Sequence, residues 1–307
     1  MSGQRVGFIG LGNMGGRITR CLVRNGVEVL GFDIRTENVT AAGAQLAPSA
    51  VEVVRNTDIV LLSLPSSRQV EEVMLGDNGA VQVAREGQII VDLSTSEPAS
   101  TRKIHGLLAE RGASYVDAGI SGGAAAAEKG QLTLMVGGEK EALEKLRPVL
   151  EHFSAKIFYL GGSGAGHTAK LLNNFLNAIS LSATAEVMVA GKKAGLDLQV
   201  LLDVFNSSSG VNFATLNRFP KIIHGDYLKG GLTNTLMLKD VMAYTDLVAG
   251  LGVVSLHASG PIAAFGLANA LGYADKISNT VVDAIGDVSG GVRLHEPQKT
   301  DDTGEQE

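Results

Sequence analysis

A chain of 307 residues, 45% hydrophobic and 19% charged, with a formal net charge of -6, has the composition of a compact globular protein and is long enough for two domains. The acidic balance argues against nucleic acid or an anionic membrane as the main partner. The single cysteine, Cys21, excludes an internal disulfide and a multi-cysteine metal site, which fits a reducing cytoplasm.

The first apolar run, residues 5–9, reads as a strand; it is too short for a signal peptide and leads directly into Gly10-Leu11-Gly12-Asn13-Met14-Gly15. In a dinucleotide fold the first glycine of such a turn makes the bend, the second lets backbone approach a pyrophosphate, and the third lets helix and strand pack closely. Alone, the pattern serves FAD, S-adenosylmethionine or nothing. Cys21 falls in the amphipathic helix that follows, where it reads as a packed thiol. A second strand, 27–32, ends at Asp33, 23 residues after Gly10, where a carboxylate can accept hydrogen bonds from a ribose diol. Together the two features point to a nicotinamide or flavin dinucleotide. Asp33 repels a 2′-phosphate and favours NAD; Arg35, two residues on, keeps NADP as the alternative.

Strand-like runs at 58–64, 88–93 and 114–117 alternate with helix-length segments, the pattern of a parallel sheet covered on both faces. Leu64-Pro65 and Asp92-Leu93-Ser94-Thr95 end two of these strands at the carboxyl edge, where ligands of doubly wound folds bind. Ser94 and Thr95 read equally as a helix N-cap, with Glu97-Pro98 just after them. The segment Asp117-Ala118-Gly119-Ile120-Ser121-Gly122-Gly123 reads as a turn whose hydroxyl and amides suit a carboxylate, or as a plain flexible turn. Strands at 132–136 and 156–159, flanking a charged helix at 139–151, extend the same sheet.

Beyond Gly161-Gly162-Ser163-Gly164 the patterning is helical, with segments at 165–194, 196–205, 236–251 and 261–271. We therefore expect a dinucleotide-binding domain over 1–163, a helical substrate and oligomerisation domain over 164–290, and a mobile polar tail over 291–307. The helix from 165 carries Lys170 beside a stretch, 171–185, with no formal charge. That stretch is shorter than the roughly 20 residues a bilayer span needs, and Asn173, Asn174 and Asn177 would be costly in lipid. It reads as a core or interface helix. An ammonium in such surroundings either snorkels to water or is held in a cleft with work to do. Asn174 lies one turn on, so ammonium and amide share a face. His152, His224, His257 and His295 have no metal-ligand spacing, and no metal is implied.

Four motifs in one order give the chain a resemblance to the β-hydroxyacid dehydrogenase family, over about residues 4 to 290: the glycine turn with Asn13-Met14-Gly15, the Asp117-to-Gly123 segment, the run from Gly164 and Gly166 through Lys170 to Asn173-Asn174, and Lys239-Asp240. The resemblance implies an N-terminal Rossmann domain, a long interdomain helix and an all-helical C-terminal domain, commonly in dimers or tetramers. It implies that Ser121, Gly122 and Gly123 hold a substrate carboxylate, Lys170 is catalytic, Asn174 orients the reacting hydroxyl, Thr95 lies near the nicotinamide, and Lys239 lies near cofactor and substrate. The sequence departs from the family at Gly119, where proline is usual and glycine implies a looser substrate loop, and at Val241-Met242-Ala243-Tyr244.

The activity so implied is reversible hydride transfer between a nicotinamide cofactor and a small 3-hydroxy acid, with Lys170 giving or taking the hydroxyl proton. A lysine with an ordinary pKa of about 10.4 is a poor base at neutral pH, so this requires surroundings that lower it. A 6-phosphogluconate dehydrogenase would place His-Asn where Asn173-Asn174 stand, and imine reductases usually replace the lysine. A non-catalytic dinucleotide-binding scaffold is the alternative of a different class, and reduction of a related semialdehyde or imine a nearer one.

Overall fold

The computed structural model describes residues 5–228 and 231–295. The chain divides into two compact units, Met1–Asn173 and Asn174–Glu307.

Unit 1 is built on one sheet of β1 (Val6–Ile9), β2 (Val29–Phe32), β3 (Gln45–Leu46), β4 (Ile59–Leu62), β5 (Ile89–Asp92), β6 (Ser114–Ser121), β7 (Leu132–Gly137) and β8 (Ser154–Gly161). Their order across the sheet is β3-β2-β1-β4-β5-β6-β7-β8, parallel as far as β6, with β7 antiparallel to β6 and β8 parallel to β7. The helices of this unit are α1 (Gly15–Arg24), α2 (Thr36–Ala41), α3 (Ala50–Asn56), α4 (Ser67–Leu75), α5 (Pro98–Ala109), α6 (Gly123–Glu128) and α7 (Lys140–Leu150), followed by the start of α8 (Ala165–Lys193). Period-two alternation sends Ile59 and Leu61 of β4 into one core with Phe8, Ile18 and Leu146, and Val60 and Leu62 into a second with Ile9, Val53 and Ile104. All four β4 residues are buried. At about 1.5–3 kcal/mol for each aliphatic side chain, that central strand alone favours the fold by roughly 6–12 kcal/mol before entropy is counted.

Two elements of the sheet differ from the sequence reading. The short β3 carries two exposed residues and has no apolar pattern to betray it. β6 continues to Ser121, so residues 117–121, read as a turn, are extended strand. They pair with β7, Gly119 opposite Met135 and Ser121 opposite Thr133, a partnership that exists only because β7 returns antiparallel.

Unit 2 contains the remainder of α8 with α9 (Leu198–Asn206), α10 (Phe213–Asn217), α11 (Phe219–Ile222), α12 (Asn234–Gly250), α13 (Ser259–Ala268) and α14 (Val281–Val288). Met188, Leu202, Phe219, Met237 and Phe265 form its core. The division at Asn173/Asn174 falls ten residues after the boundary expected from the glycine cluster, since α8 runs unbroken through it. The tail expected from Gly291 is packed at its start: Leu294 is buried, Val292 packs on the core, and Tyr227 Oη lies 3.1 Å from His295 Nε2. Residues 296–307 of that tail lie outside the described residues.

Candidate active site

At the start of the sheet, Gly10 adopts a positive φ of 86°, and a Cβ there would come within 2.8 Å of Leu64 Cδ2 and strike the Ser63 carbonyl. A Cβ on Gly15 would overlap the Gly10 carbonyl oxygen, whereas nothing lies within 4 Å of one on Gly12. Gly10 and Gly15 thus make the turn, and Gly12 leaves an open cradle beside the first turn of α1. That turn has neither an acidic residue nor a side-chain cap; Gly16 N donates to the Gly12 carbonyl at 2.9 Å, and the other amides of the helix end suit an anion. Asn13 and Met14 form the rim, and Asn13 is held through its backbone oxygen by Arg17 Nη1.

Asp33 is buried at the end of β2. Its Oδ2 accepts from Leu11 N at 2.7 Å, and its Oδ1 accepts from Arg35 N at 2.9 Å and Asn38 Nδ2 at 3.1 Å. A carboxylate has about four acceptor positions, so one remains for a ribose hydroxyl. Ile34, 91% exposed beside it, was missed in the sequence. It offers the apolar surface an adenine ring would cover, and its signal was an isoleucine placed just past a strand end. Arg35 is exposed. The cradle, the uncapped helix and Asp33 together fit a dinucleotide.

The ends of β4 and β5 are tied to one another. Ser94 Oγ accepts from Leu64 N at 2.9 Å, fixing the Leu64-Pro65 loop. The wholly buried Asp92 carboxylate accepts from Ser94 N at 2.9 Å, Ser96 Oγ at 2.7 Å and Tyr115 Oη at 3.2 Å. Burial, reinforced by the Asp92 charge, pushes the Tyr115 phenol well up from its ordinary value. Thr95, partly exposed, sits between two pinned neighbours. The N-cap reading of Ser94 and Thr95 does not hold: α5 begins at Pro98, and Glu97 occupies its cap.

The end of β6 and the start of α8 form the second part. Ser121 ends β6, partly exposed, and Gly122 and Gly123 follow with φ of 121° and 68°, leaving open backbone. Upstream, the buried Asp117 reaches across to α8: its Oδ1 accepts from Gly164 N and its Oδ2 from His167 N, both at 2.8 Å. Asp117 is therefore the N-cap of α8, supplied by a strand, and its charge suits the positive end of the helix. A Cβ on Gly166 would strike the Met135 carbonyl, and His167 Nδ1 lies 2.7 Å from Thr101 Oγ1 of α5. Its Nε2 is 3.2 Å from the Asp92 carbonyl, an acceptor only, so that nitrogen carries a proton.

Lys170 follows within a turn, 9% exposed. A Cβ added to Gly119 would lie 2.6 Å from Lys170 Cβ and 3.0 Å from its Cγ. Gly119 is thus no loose loop but a paired strand residue whose missing side chain admits the lysine stem. A depression of about 460 Å³ beside the start of α8, bordered by Arg102, Ser163, Thr168 and Leu172, contains none of the expected site residues.

In unit 2, Asn174 Nδ2 donates to Asp240 Oδ2, and Lys239 Nζ lies 3.0 Å from Asp240 Oδ1. Asp240 is buried and fixes which way the Asn174 amide faces; the sequence reading had left it without a role. Tyr244, one of the departures from the family, stacks on Phe175 with ring centroids 3.8 Å apart and planes at 3°. Among the described residues no cluster of histidine, cysteine or acidic side chains could hold a metal ion, and no helix is long and apolar enough to cross a membrane.

A brace joins α1 to α6. Arg17 and Arg20 both approach Glu128 Oε2, at 3.4 and 2.9 Å, and Cys21 Sγ donates to the Ala127 carbonyl at 3.2 Å.

Comparison with known proteins follows the same order along the chain. The family described as the NAD binding domain of 6-phosphogluconate dehydrogenase matches residues 5–161, and that described as NAD-binding of NADP-dependent 3-hydroxyisobutyrate dehydrogenase matches residues 164–283. The NAD-dependent L-serine dehydrogenase of Pseudomonas aeruginosa is 40% identical over 78% of this chain and 83% of its own length. The 2-(hydroxymethyl)glutarate dehydrogenase of Eubacterium barkeri is 38% identical over 77% and 80%. A solved 3-hydroxyisobutyrate dehydrogenase of Mycobacterium tuberculosis, with L-serine, superposes with a TM-score of 0.82 at 31% identity, over 91% of this chain and 98% of that one.

Proposed function

The chain belongs to the β-hydroxyacid dehydrogenase family, and on that footing we propose that it transfers a hydride reversibly between NAD(H) and the hydroxyl carbon of a small, 3-hydroxyisobutyrate-like 3-hydroxy acid. When bound, the nicotinamide supplies the hydride acceptor or donor. The turn from Gly10 through Gly12, Asn13 and Met14 to Gly15 holds the pyrophosphate and Asp33 the adenosine ribose. Leu64, Pro65 and Thr95 border the nicotinamide. Ser121, Gly122 and Gly123 take the substrate carboxylate through a hydroxyl and backbone amides. Lys170 takes the hydroxyl proton in oxidation and returns it in reduction. Asn174 and Lys239 keep the roles the resemblance implies, the one orienting the hydroxyl and the other close to cofactor and substrate.

The observation that carries this reading is the contact of the Lys170 stem with Gly119, two residues before Ser121 on the same strand. It brings the proton-handling group to the strand that presents the carboxylate-binding turn. NAD is favoured over NADP by the Asp33 charge. A homodimer or homotetramer is the assembly the family resemblance implies, readable by light scattering. A cytoplasmic location agrees with the single reduced thiol.

The test is NADH formation with 3-hydroxyisobutyrate, L-serine, glycerate, threonate and 3-hydroxypropionate. Lys170→Ala is expected to lower kcat by about 10²- to 10⁴-fold with NAD affinity retained. Silence of the wild type across the panel, with intact NAD binding, would favour the non-catalytic scaffold instead.

A further inference from the structure

Arg218 follows α10 in unit 2, partly buried. Both of its hydrogen-bond acceptors are neutral amides: Nη1 donates to Asn279 Oδ1 at 2.6 Å and Nη2 to Asn177 Oδ1 at 3.0 Å. The Phe213 ring lies 5.9 Å from the guanidinium carbon, and Nε is buried with no acceptor. Among the described residues no carboxylate pairs with this cation. Burial alone pushes it down from its ordinary value, with no anion opposing the shift. A guanidinium has five N–H donors. Two are used here and the Nε donor is shut in, which leaves two on the terminal nitrogens.

Asn177 fixes where those donors stand. It lies on α8 three residues after Asn174 and seven after Lys170. At about 100° per residue, these three positions fall on one face of the helix. The Arg218 fork is thus bound to the residue one turn beyond Asn174, on the face that carries the amide assigned to the substrate hydroxyl. Clamping α8 to the segment after α10 would need hydrogen bonds only, and a neutral amide side chain supplies those. A positive charge, desolvated without a counter-ion, is a cost such a clamp does not require.

We propose that Arg218 binds a second carboxylate on the substrate, carried on the carbon between the hydroxymethyl and acid groups, and so selects dicarboxylic 3-hydroxy acids over 3-hydroxyisobutyrate itself. Planar guanidinium and planar carboxylate match one another, and the charge-assisted bonds replace the water lost on burial. This inference rests on the dehydrogenase reading above for the orientation of the substrate, not for the existence of the anion site.

The probe pair is 3-hydroxyisobutyrate and 2-(hydroxymethyl)succinate, which differ only in methyl against carboxymethyl. Each is assayed with NAD for kcat/KM, and each is titrated calorimetrically into the protein with NADH, for wild type, Arg218→Gln and Arg218→Lys. The wild type is expected to prefer the diacid, Arg218→Gln to lose about 10- to 100-fold on the diacid and no more than about twofold on the monoacid, and Arg218→Lys to fall between. A diacid-to-monoacid ratio unchanged in a folded Arg218→Gln overturns the proposal, as does a wild type that prefers the monoacid. Should Arg218→Gln lose its thermal midpoint, Arg218→Lys decides: a ratio equal to wild type overturns the proposal and a reduced one supports it. Arg218-dependent binding of the diacid without oxidation of either acid keeps the anion site and removes the dehydrogenase. Turnover abolished by Lys170→Ala, with the ratio unmoved in Arg218→Gln, does the reverse.

Discussion

Asp33 has two duties, and they separate on substitution. One carboxylate oxygen holds the glycine turn through Leu11 N and has room for a ribose hydroxyl, while the other serves Arg35 N and Asn38. Asp33→Asn keeps the size but removes the charge and one acceptor. The KM for NAD is expected to rise about tenfold, the worth of one charge-assisted bond, while discrimination against NADP weakens because the 2′-phosphate is no longer repelled. Parallel saturation curves with both cofactors check this, and an unaltered NAD-to-NADP ratio would falsify the charge argument. Asp33 was legible because it ends an apolar strand at a fixed distance from a glycine turn. Asp117 was legible only as part of a motif. Its partners, Gly164 N and His167 N, lie 47 and 50 residues away and are backbone groups without a side-chain signature.

At the level of elements, the seat of α8 controls where Lys170 stands. Gly161, Gly162, Gly164 and Gly166 leave the entry to this helix little intrinsic stiffness. What fixes it is the Asp117 cap, the close approach of Gly166 to β7, and the His167 bonds to α5 and β5. In Asp117→Asn one atom that accepted becomes a donor facing an N–H. The cap should weaken by about 1–2 kcal/mol and kcat fall about tenfold or more, with NAD affinity near wild type. Hydrogen exchange at the Gly164 and His167 amides should quicken in step, and unchanged exchange alongside lower kcat would place the effect elsewhere. The long helix and the buried strands were readable because their apolar periods are strong. The extension of β6 and the two-residue β3 were not, since each is set by the strand it pairs with, and α10 and α11 are too short to show a period, although Asn212 and Thr215 cap α10 reciprocally and Pro220 stands in the first turn of α11.

Across the whole molecule, the order of motifs was plain in the sequence, whereas the brace between the cofactor helix and the substrate turn was not. Arg17, Arg20 and Cys21 on α1 meet Ala127 and Glu128 on α6, the helix that begins at Gly123. The ion pairs are partly exposed and individually weak, but Cys21 beneath them is 2% exposed. A reagent can reach that thiol only when α1 and α6 part. A ligand at 100 times its Kd stabilises the closed form by about 2.7 kcal/mol, so saturating NADH should slow alkylation of Cys21 about a hundredfold when opening is rare and fast. Mass-spectrometric timing of a maleimide adduct gives that rate, and indifference to NADH would mean that Cys21 is reached without opening at the cofactor. The lone cysteine is then a clock installed in the native chain. It counts how often the two ends of the site breathe apart, with no label added and without need of a substrate.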